Sequence, residues 1–180
     1  MAGDIRPGRG GRAWLANRFW LVLPPLLLNV PLTPALPAAY RPDVFSAGLP
    51  VGLEAAETVL RLLVSTAPLL MPLRPPDLRP GGWGKQGFAL YTSGLLAYAA
   101  AWAAVIAAPD SAWSQSPVGF TAPAWTSLIW LAGIGWHSRL PWKRYHPWMY
   151  LAAVVLFTTV HTAHAALVWC RTAGVGMTGV

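Results

Sequence analysis

Two small groups of titratable residues have the types and spacing to do chemistry. Glu54 and Glu57 lie three positions apart and Arg61 follows four positions later, so all three would share one side of a helix. His161 and His164 repeat the three-residue spacing near the other end of the chain. Carboxylates and imidazoles together suit a divalent metal such as zinc or iron. They also suit a proton relay, since histidine titrates near neutral pH.

Both groups lie in strongly apolar stretches of the chain. The 180 residues are 55% hydrophobic and 11% charged, and they include 11 tryptophans. Soluble domains carry about 25% charged residues, and a domain of this length leaves a large part of its surface in water. The composition therefore predicts an integral membrane protein, in which lipid covers the apolar surface. The length predicts a single domain.

The apolar segments predict an all-α fold, a polytopic transmembrane helical bundle of about five spans. The spans are expected at about 14–32, 50–73, 87–108, 124–137 and 147–169, within a transmembrane domain of residues 13–170. The third segment has 22 residues and no charge, which suffices to cross hydrocarbon. Residues 1–12 are expected to form a flexible basic tail, and residues 171–180 a short tail on the other side.

The distribution of lysine and arginine predicts the orientation of these spans. Ten basic residues fall before span one, between spans two and three, and between spans four and five, whereas the alternate segments hold two. The ten are Arg6, Arg9, Arg12, Arg18, Arg74, Arg79, Lys85, Arg139, Lys143 and Arg144, and the two are Arg41 and Arg171. The positive-inside rule then predicts a cytoplasmic N-terminus and an outer C-terminus, in a bacterial cytoplasmic membrane.

With this orientation the two titratable groups lie at matching depth. Glu54 and Glu57 lie roughly 6 and 10 Å below the outer start of span two, at 1.5 Å per residue. His164 and His161 lie roughly 7 and 12 Å from the same surface on span five. If spans two and five touch, an intramembrane polar cluster of Glu54, Glu57, Arg61, His161 and His164 results.

Three interpretations of this cluster stay open. It could be a structural network, in which Glu57 pairs with Arg61 and the histidines bond locally. It could be a proton or ion pathway, because charges inside lipid are costly and usually serve a function. It could also bind a metal through Glu54, Glu57, His161 and His164, although Arg61 would compete for the carboxylates.

Haem is a further cofactor that the histidines could hold. His137 and His146 flank the connector between spans four and five, and could ligate a haem from two helices. The stretch WKRYHPWMYLAA, Trp142 to Ala153, resembles the start of a haem-bearing helix in membrane ferric-reductase-like cytochrome subunits. The next histidine comes 15 residues later, which departs from that helical spacing.

A second local similarity involves tryptophan. The run APAWTSLIW, Ala122 to Trp130, resembles a motif of tryptophan-rich sensory proteins, which bind porphyrins and sterols. That motif precedes the second helix in the family, whereas here it precedes the fourth predicted span. Proline at a helix start beside interfacial aromatics explains the same pattern, and no family follows from it.

The remaining patterns limit the classes of function. The sequence has no hydrolase, nucleotide-binding or zinc-protease motif, so an enzyme is disfavoured. Nucleic-acid binding is also disfavoured, because the basic residues flank apolar segments and do not form a face. Small residues at Ser93, Ala97, Ala101 and Ala104 predict close helix contact on span three.

The sequence favours an accessory or structural subunit that packs with other membrane proteins in the bilayer. The alternatives are a small proton- or ion-coupled transporter that uses the polar cluster, and a haem- or pigment-binding membrane protein.

Overall fold

The computed structural model describes residues 17–73, 83–136, 138, 140 and 144–177. Its principal helices are α1 (Leu23–Leu32), α2 (Val51–Thr66), α3 (Trp83–Ala107), α4 (Ser127–Gly135) and α5 (Pro147–Met177). Short 3-10 helices cover Arg18–Leu21, Thr33–Ala35, Ala38–Tyr40 and Ala67–Leu70, and single α-helical turns cover Pro42–Phe45, Ala112–Gln115, Pro117–Phe120 and Ala122–Trp125. The described residues form no strand, so the predicted all-α class is confirmed.

Two helices of the described part are long and apolar enough to cross a membrane. They are α3, over Lys85–Ala107, and α5, over Pro147–Ala173. Only 28% and 33% of their most apolar stretches are buried within the protein. A core helix of a soluble protein would be mostly buried, so this exposure favours contact with lipid.

The predicted number of five spans is not confirmed, because the other principal helices are shorter. Helix α1 has ten residues and α4 has nine, which at 1.5 Å per residue cover about 15 Å each. Prolines set these limits, because proline lacks the N–H that a helix interior needs. Pro68 stands where α2 gives way to a 3-10 turn, and Pro117 and Pro123 open the single turns before α4.

Helices α3 and α4 pack closely against each other at two glycines. A Cβ atom on Gly94 would lie 2.3 Å from the backbone nitrogen of Trp130, and one on Gly133 would lie 2.5 Å from that of Tyr91. Ala101 is buried beside this contact, but Ser93 is exposed. The face of α3 that packs closely is therefore centred on Gly94, and the exposed Ser93 of the predicted small-residue face does not belong to it.

The segments that connect the helices lie near the two ends of the long helix α5. At its start, Arg18 is buried and donates hydrogen bonds to the carbonyl oxygens of Ile134 (2.6 Å) and Trp136 (3.0 Å), and its backbone N–H donates to Met71 (2.9 Å). Near its end, the Trp169 indole N–H donates to the Gln115 carbonyl at 2.8 Å. The segments that the charge pattern assigns to opposite sides thus lie at opposite ends of α5.

Candidate functional site

Glu57 lies on the face of α2 that packs against α5, and its carboxylate is the centre of a polar cluster. Only 5% of its side chain is exposed. Oxygen Oε1 accepts from the Arg61 guanidinium one turn later in α2 and lies 3.0 Å from Nδ1 of His161. Oxygen Oε2 bonds Nδ1 of His164. The structure therefore brings four of the five residues in the predicted cluster into direct contact.

His164 is held on both sides of its ring. Its Nε2 lies 3.1 Å from the carbonyl oxygen of Phe45, and its ring stacks on the Phe45 ring with centroids 4.4 Å apart. His161 stacks in the same way on Phe157 at 5.4 Å. These contacts fix the two imidazoles against the carboxylate of Glu57.

The loop that carries Phe45 is tied to α5 by Arg171. Its guanidinium donates to the carbonyl of Val44 at 2.7 Å and to that of Ala47. Gly48 follows with φ of +65°, a left-handed conformation that favours glycine, and so the chain reverses into α2. One end of α5 thus positions both the histidine and the carbonyl that it contacts.

The hydrogen bonds of His164 define how many protons the cluster holds. The Phe45 carbonyl can only accept, so Nε2 of His164 carries a hydrogen. The bond between Nδ1 and Glu57 then needs one further proton, on either the imidazole or the carboxylate. In both cases Glu57 and His164 together have no net charge. Arg61 adds one positive charge, so the cluster with neutral His161 has a net charge of +1.

Glu57 and both histidines line a cavity of about 480 Å³ among the helices. Its polar wall also holds Tyr98, whose hydroxyl donates to the Asn29 side chain of α1 at 2.8 Å. The rest of the wall is largely aromatic and aliphatic, and includes Trp102, Phe120, Trp130, Leu131 and Phe157. This volume and lining are typical of sites for small molecules.

A second cavity of about 310 Å³ lies toward the end of α5 that carries Trp169. Tyr40 and Phe120 line both cavities, and their rings stack with centroids 4.5 Å apart. The Tyr40 hydroxyl donates to the Phe120 carbonyl at 2.7 Å. Burial raises the pKa of Tyr40, so the phenol stays protonated and keeps this bond. The pair therefore forms an aromatic partition between the two cavities.

Arg61 and Glu54 occupy the exposed rim of the larger cavity. The Arg61 side chain is 56% exposed, and within the described part of the chain it bonds only Glu57. Glu54 lines the cavity, but its side chain makes no hydrogen bond or ion pair to a described residue. Glu54 is thus near the cluster without belonging to its bonded core.

The metal interpretation has little support from this geometry. Among the described residues, no group of three or more His, Cys, Asp or Glu side chains is arranged to hold a metal ion. Both ring nitrogens of His164 already have hydrogen-bond partners, so a metal would have to displace one of them. His137 lies outside the described residues, and His146 is exposed next to the start of α5. The proposed haem pair therefore stays a prediction.

The aromatic neighbours of the cluster were not predicted from sequence. Phe45 and Tyr40 belong to the connection between α1 and α2, which carries no motif, and nothing in its composition places them against α5. Periodicity predicts the shared face of Glu57 and Arg61 but not a contact from a loop.

Comparisons with protein-family models, curated proteins and solved structures give no match for this chain.

Proposed function

We propose that the protein is an integral membrane protein of five spans that couples proton movement to the passage of a small molecule through its cavity. The observation that carries the proposal is the buried carboxylate of Glu57, bonded to His161 and His164 at the wall of a 480 Å³ cavity. A location in a bacterial cytoplasmic membrane is expected from the charge pattern alone.

The cost of the cluster supports a functional role. A charged group at mid-membrane costs about 2.5 kcal/mol or more, and Arg61 lies about 15 Å along α2 from Val51 at 1.5 Å per residue. Apolar residues would pack α2 against α5 at least as well, since buried ion pairs rarely increase stability over such residues. A purely structural network would therefore be an expensive way to join two helices.

The three titratable groups form a chain along which a proton can move. His161 makes no bond through Nε2 to a described residue, and 22% of its side chain is exposed. A proton that binds Nε2 allows Nδ1 to release its own proton to Glu57. With the new proton on Oε1, the carboxyl group can pass the proton that it shares through Oε2 to Nδ1 of His164, which becomes an imidazolium. Both transfers between side chains use existing hydrogen bonds, and onward release requires Nε2 of His164 to separate from the Phe45 carbonyl, which cannot take a proton.

The aromatic partition supports a transport role, because it separates the proton-binding groups from the second cavity. The larger cavity contains the proton-binding groups, and the smaller cavity lies beyond Tyr40 and Phe120. Separating these rings would join the two cavities, so the partition is a candidate gate.

The experiment is a proton-flux assay with the purified full chain in lipid vesicles that enclose a pH-sensitive dye. We expect the wild type to acidify the vesicle interior under an imposed pH gradient. Glu57→Gln keeps the size and polarity of the side chain but removes its titration, so its flux should fall at least tenfold.

The matched control is Asp43→Asn, which removes an exposed carboxylate from the Pro42–Phe45 turn beside the cluster. Its flux should equal that of the wild type. If vesicles with Glu57→Gln conduct protons as fast as wild-type vesicles, the proposed pathway is wrong.

An accessory subunit is the second candidate. The outward face of α2 exposes large apolar side chains, Val51, Val59, Leu62 and Leu63, which a partner helix could cover. This candidate predicts a stoichiometric partner after purification in mild detergent. It also predicts no proton flux from the isolated chain, which separates it from the transporter.

A further inference from the structure

We infer that the larger cavity binds an amphipathic organic anion, with its acid group on Arg61 and its apolar part among the aromatic side chains of the wall. The inference rests on the proposed function for the role of this ligand as cargo.

The charge of the cluster selects an anion. Glu57 and His164 share one proton and cancel, which leaves the positive charge of Arg61 without compensation in the bonded cluster. Glu54 lines the same cavity but does not bond Arg61. An anionic group that docks at Arg61 would neutralise the cluster, whereas a cationic ligand would add to its positive charge.

The position of Arg61 leaves it able to hold such a group. The guanidinium has five N–H donors, and within the described part of the chain it bonds Glu57 alone, so donors remain for an acid oxygen. Arginine binds carboxylate, phosphate and sulfonate groups through two parallel hydrogen bonds. The side chain is 56% exposed at the cavity rim, where a ligand can reach it.

The wall beyond Arg61 fits an apolar body. Trp102, Trp130 and Phe157 line the cavity with Leu131, and Tyr98 presents its ring below a hydroxyl that is already bonded to Asn29. The hydroxyl groups of Thr58, Ser65 and Ser127 also line the cavity, but aromatic and aliphatic side chains form most of its wall. An alkyl chain or an aromatic ring would bury apolar surface against them.

Exposed residues of α1 and α2 line the cavity, which favours a ligand that dissolves in lipid. Helix α2 packs mainly against α5, and α1 packs against α3. Leu26 of α1 and Thr58 of α2 both line the cavity and are both exposed. Where these helices face the bilayer, an amphipathic molecule would reach the cavity more readily than a fully hydrated ion.

The test measures binding separately from transport, with the full chain in nanodiscs of phosphatidylcholine. The probe is ω-bromoundecanoate, whose bromine quenches tryptophan fluorescence, and its neutral match is ω-bromoundecanol. We expect saturable quenching by the acid with at least tenfold higher affinity than by the alcohol. Arg61→Gln should remove this preference, and Arg61→Lys, which keeps the charge but not the paired donors, should retain part of it.

The control Arg144→Gln removes an exposed arginine that lines neither cavity, and it should bind the acid as the wild type does. If the wild type binds the acid and the alcohol equally, the inference is overturned, whatever the variants do. If Arg61→Gln and the wild type prefer the acid over the alcohol equally, the inference is also overturned.

Two sources of the same acid group are distinguished by lipid composition. If phosphatidylglycerol in the nanodiscs displaces the probe, the anion that occupies the site is a lipid headgroup. If the probe remains bound, the site takes a free organic acid, and both outcomes support an anionic amphiphile. If the protein binds the acid but conducts no protons, the binding site is supported and the proposed function is rejected. If it conducts protons but does not prefer the acid, the proposed function is supported and the binding site is rejected.

Discussion

His164 links the proposed proton site to the rest of the protein, because each of its ring nitrogens has a different partner. Nδ1 bonds the carboxylate of Glu57 on α2, and Nε2 donates to the carbonyl of Phe45 in the connection before α2. Among the described residues, the ring nitrogens of His161 bond Glu57 alone, whose Oε1 also bonds Arg61. Loss of His164 would therefore leave two acceptors without a hydrogen bond, whereas the oxygen that bonds His161 would keep Arg61.

Replacing His164 with phenylalanine should destabilise the protein more than the same change at His161. A phenyl ring at position 164 keeps the stacking on Phe45 but leaves two buried acceptors without a donor, at about 1–3 kcal/mol each. At position 161 the Glu57 oxygen keeps Arg61, so the loss should be about 1 kcal/mol or less. Thermal unfolding in detergent measures both variants. Equal melting temperatures would contradict the assigned roles.

The sequence predicts part of this site for a clear reason. Spacing on each helix gives the shared faces of Glu57 with Arg61 and of His161 with His164, and the positions of lysine and arginine predict their common depth. The contact with Phe45 could not be predicted, because it depends on how the proline-containing connection between α1 and α2 packs against α5. Glu54 shows the limit of spacing, since it shares the face but its side chain bonds no described residue.

At the scale of elements, tyrosine hydroxyls supply hydrogen bonds that proline removes. The carbonyl of Val64 would accept from the residue four positions later, which is Pro68, and proline has no N–H. The Tyr150 hydroxyl of α5 donates to it instead, at 2.9 Å. The Leu21 carbonyl, four positions before Pro25, receives the Tyr91 hydroxyl of α3 at 2.9 Å. At both prolines, a backbone carbonyl without its helical donor thus accepts a hydrogen bond from a tyrosine of another helix.

Tyr150→Phe should therefore lower the free energy of unfolding by about 1–3 kcal/mol, because the buried carbonyl of Val64 loses its donor. The variant keeps the ring and its packing. Thr159→Val is the control, since it removes an exposed hydroxyl that bonds within its own helix. Denaturation in mixed micelles compares the two. A loss in the control as large as in Tyr150→Phe would contradict this account.

Prolines also explain why the predicted spans are only partly regular helix. Hydropathy detects apolar length, and it correctly identified the long helices α3 and α5. It does not detect where a missing N–H ends an α-helix, as at Pro68. The glycine contact between α3 and α4 was missed for a similar reason, because close approach depends on both helices at once.

At the scale of the whole molecule, five spans would carry the connections alternately to the two sides. Single cysteines in a Cys170→Ala background test this alternation with a membrane-impermeant maleimide on intact cells. Asp43→Cys and Asp110→Cys should react from outside. Asp77→Cys and Arg144→Cys should react only after permeabilisation. Asp77 lies outside the described residues, so its side is expected from the charge pattern alone. Labelling of all four from one side would rule out the five-span arrangement.

The central claim is that Glu57 carries a mobile proton at the wall of the cavity, and proton entry into vesicles tests it most directly. Wild-type and Glu57→Gln protein are reconstituted at equal density, and the initial rate of dye response is measured under the same gradient. The account predicts rapid entry for the wild type and a rate near that of protein-free vesicles for Glu57→Gln. Equal rates for the two proteins would contradict it.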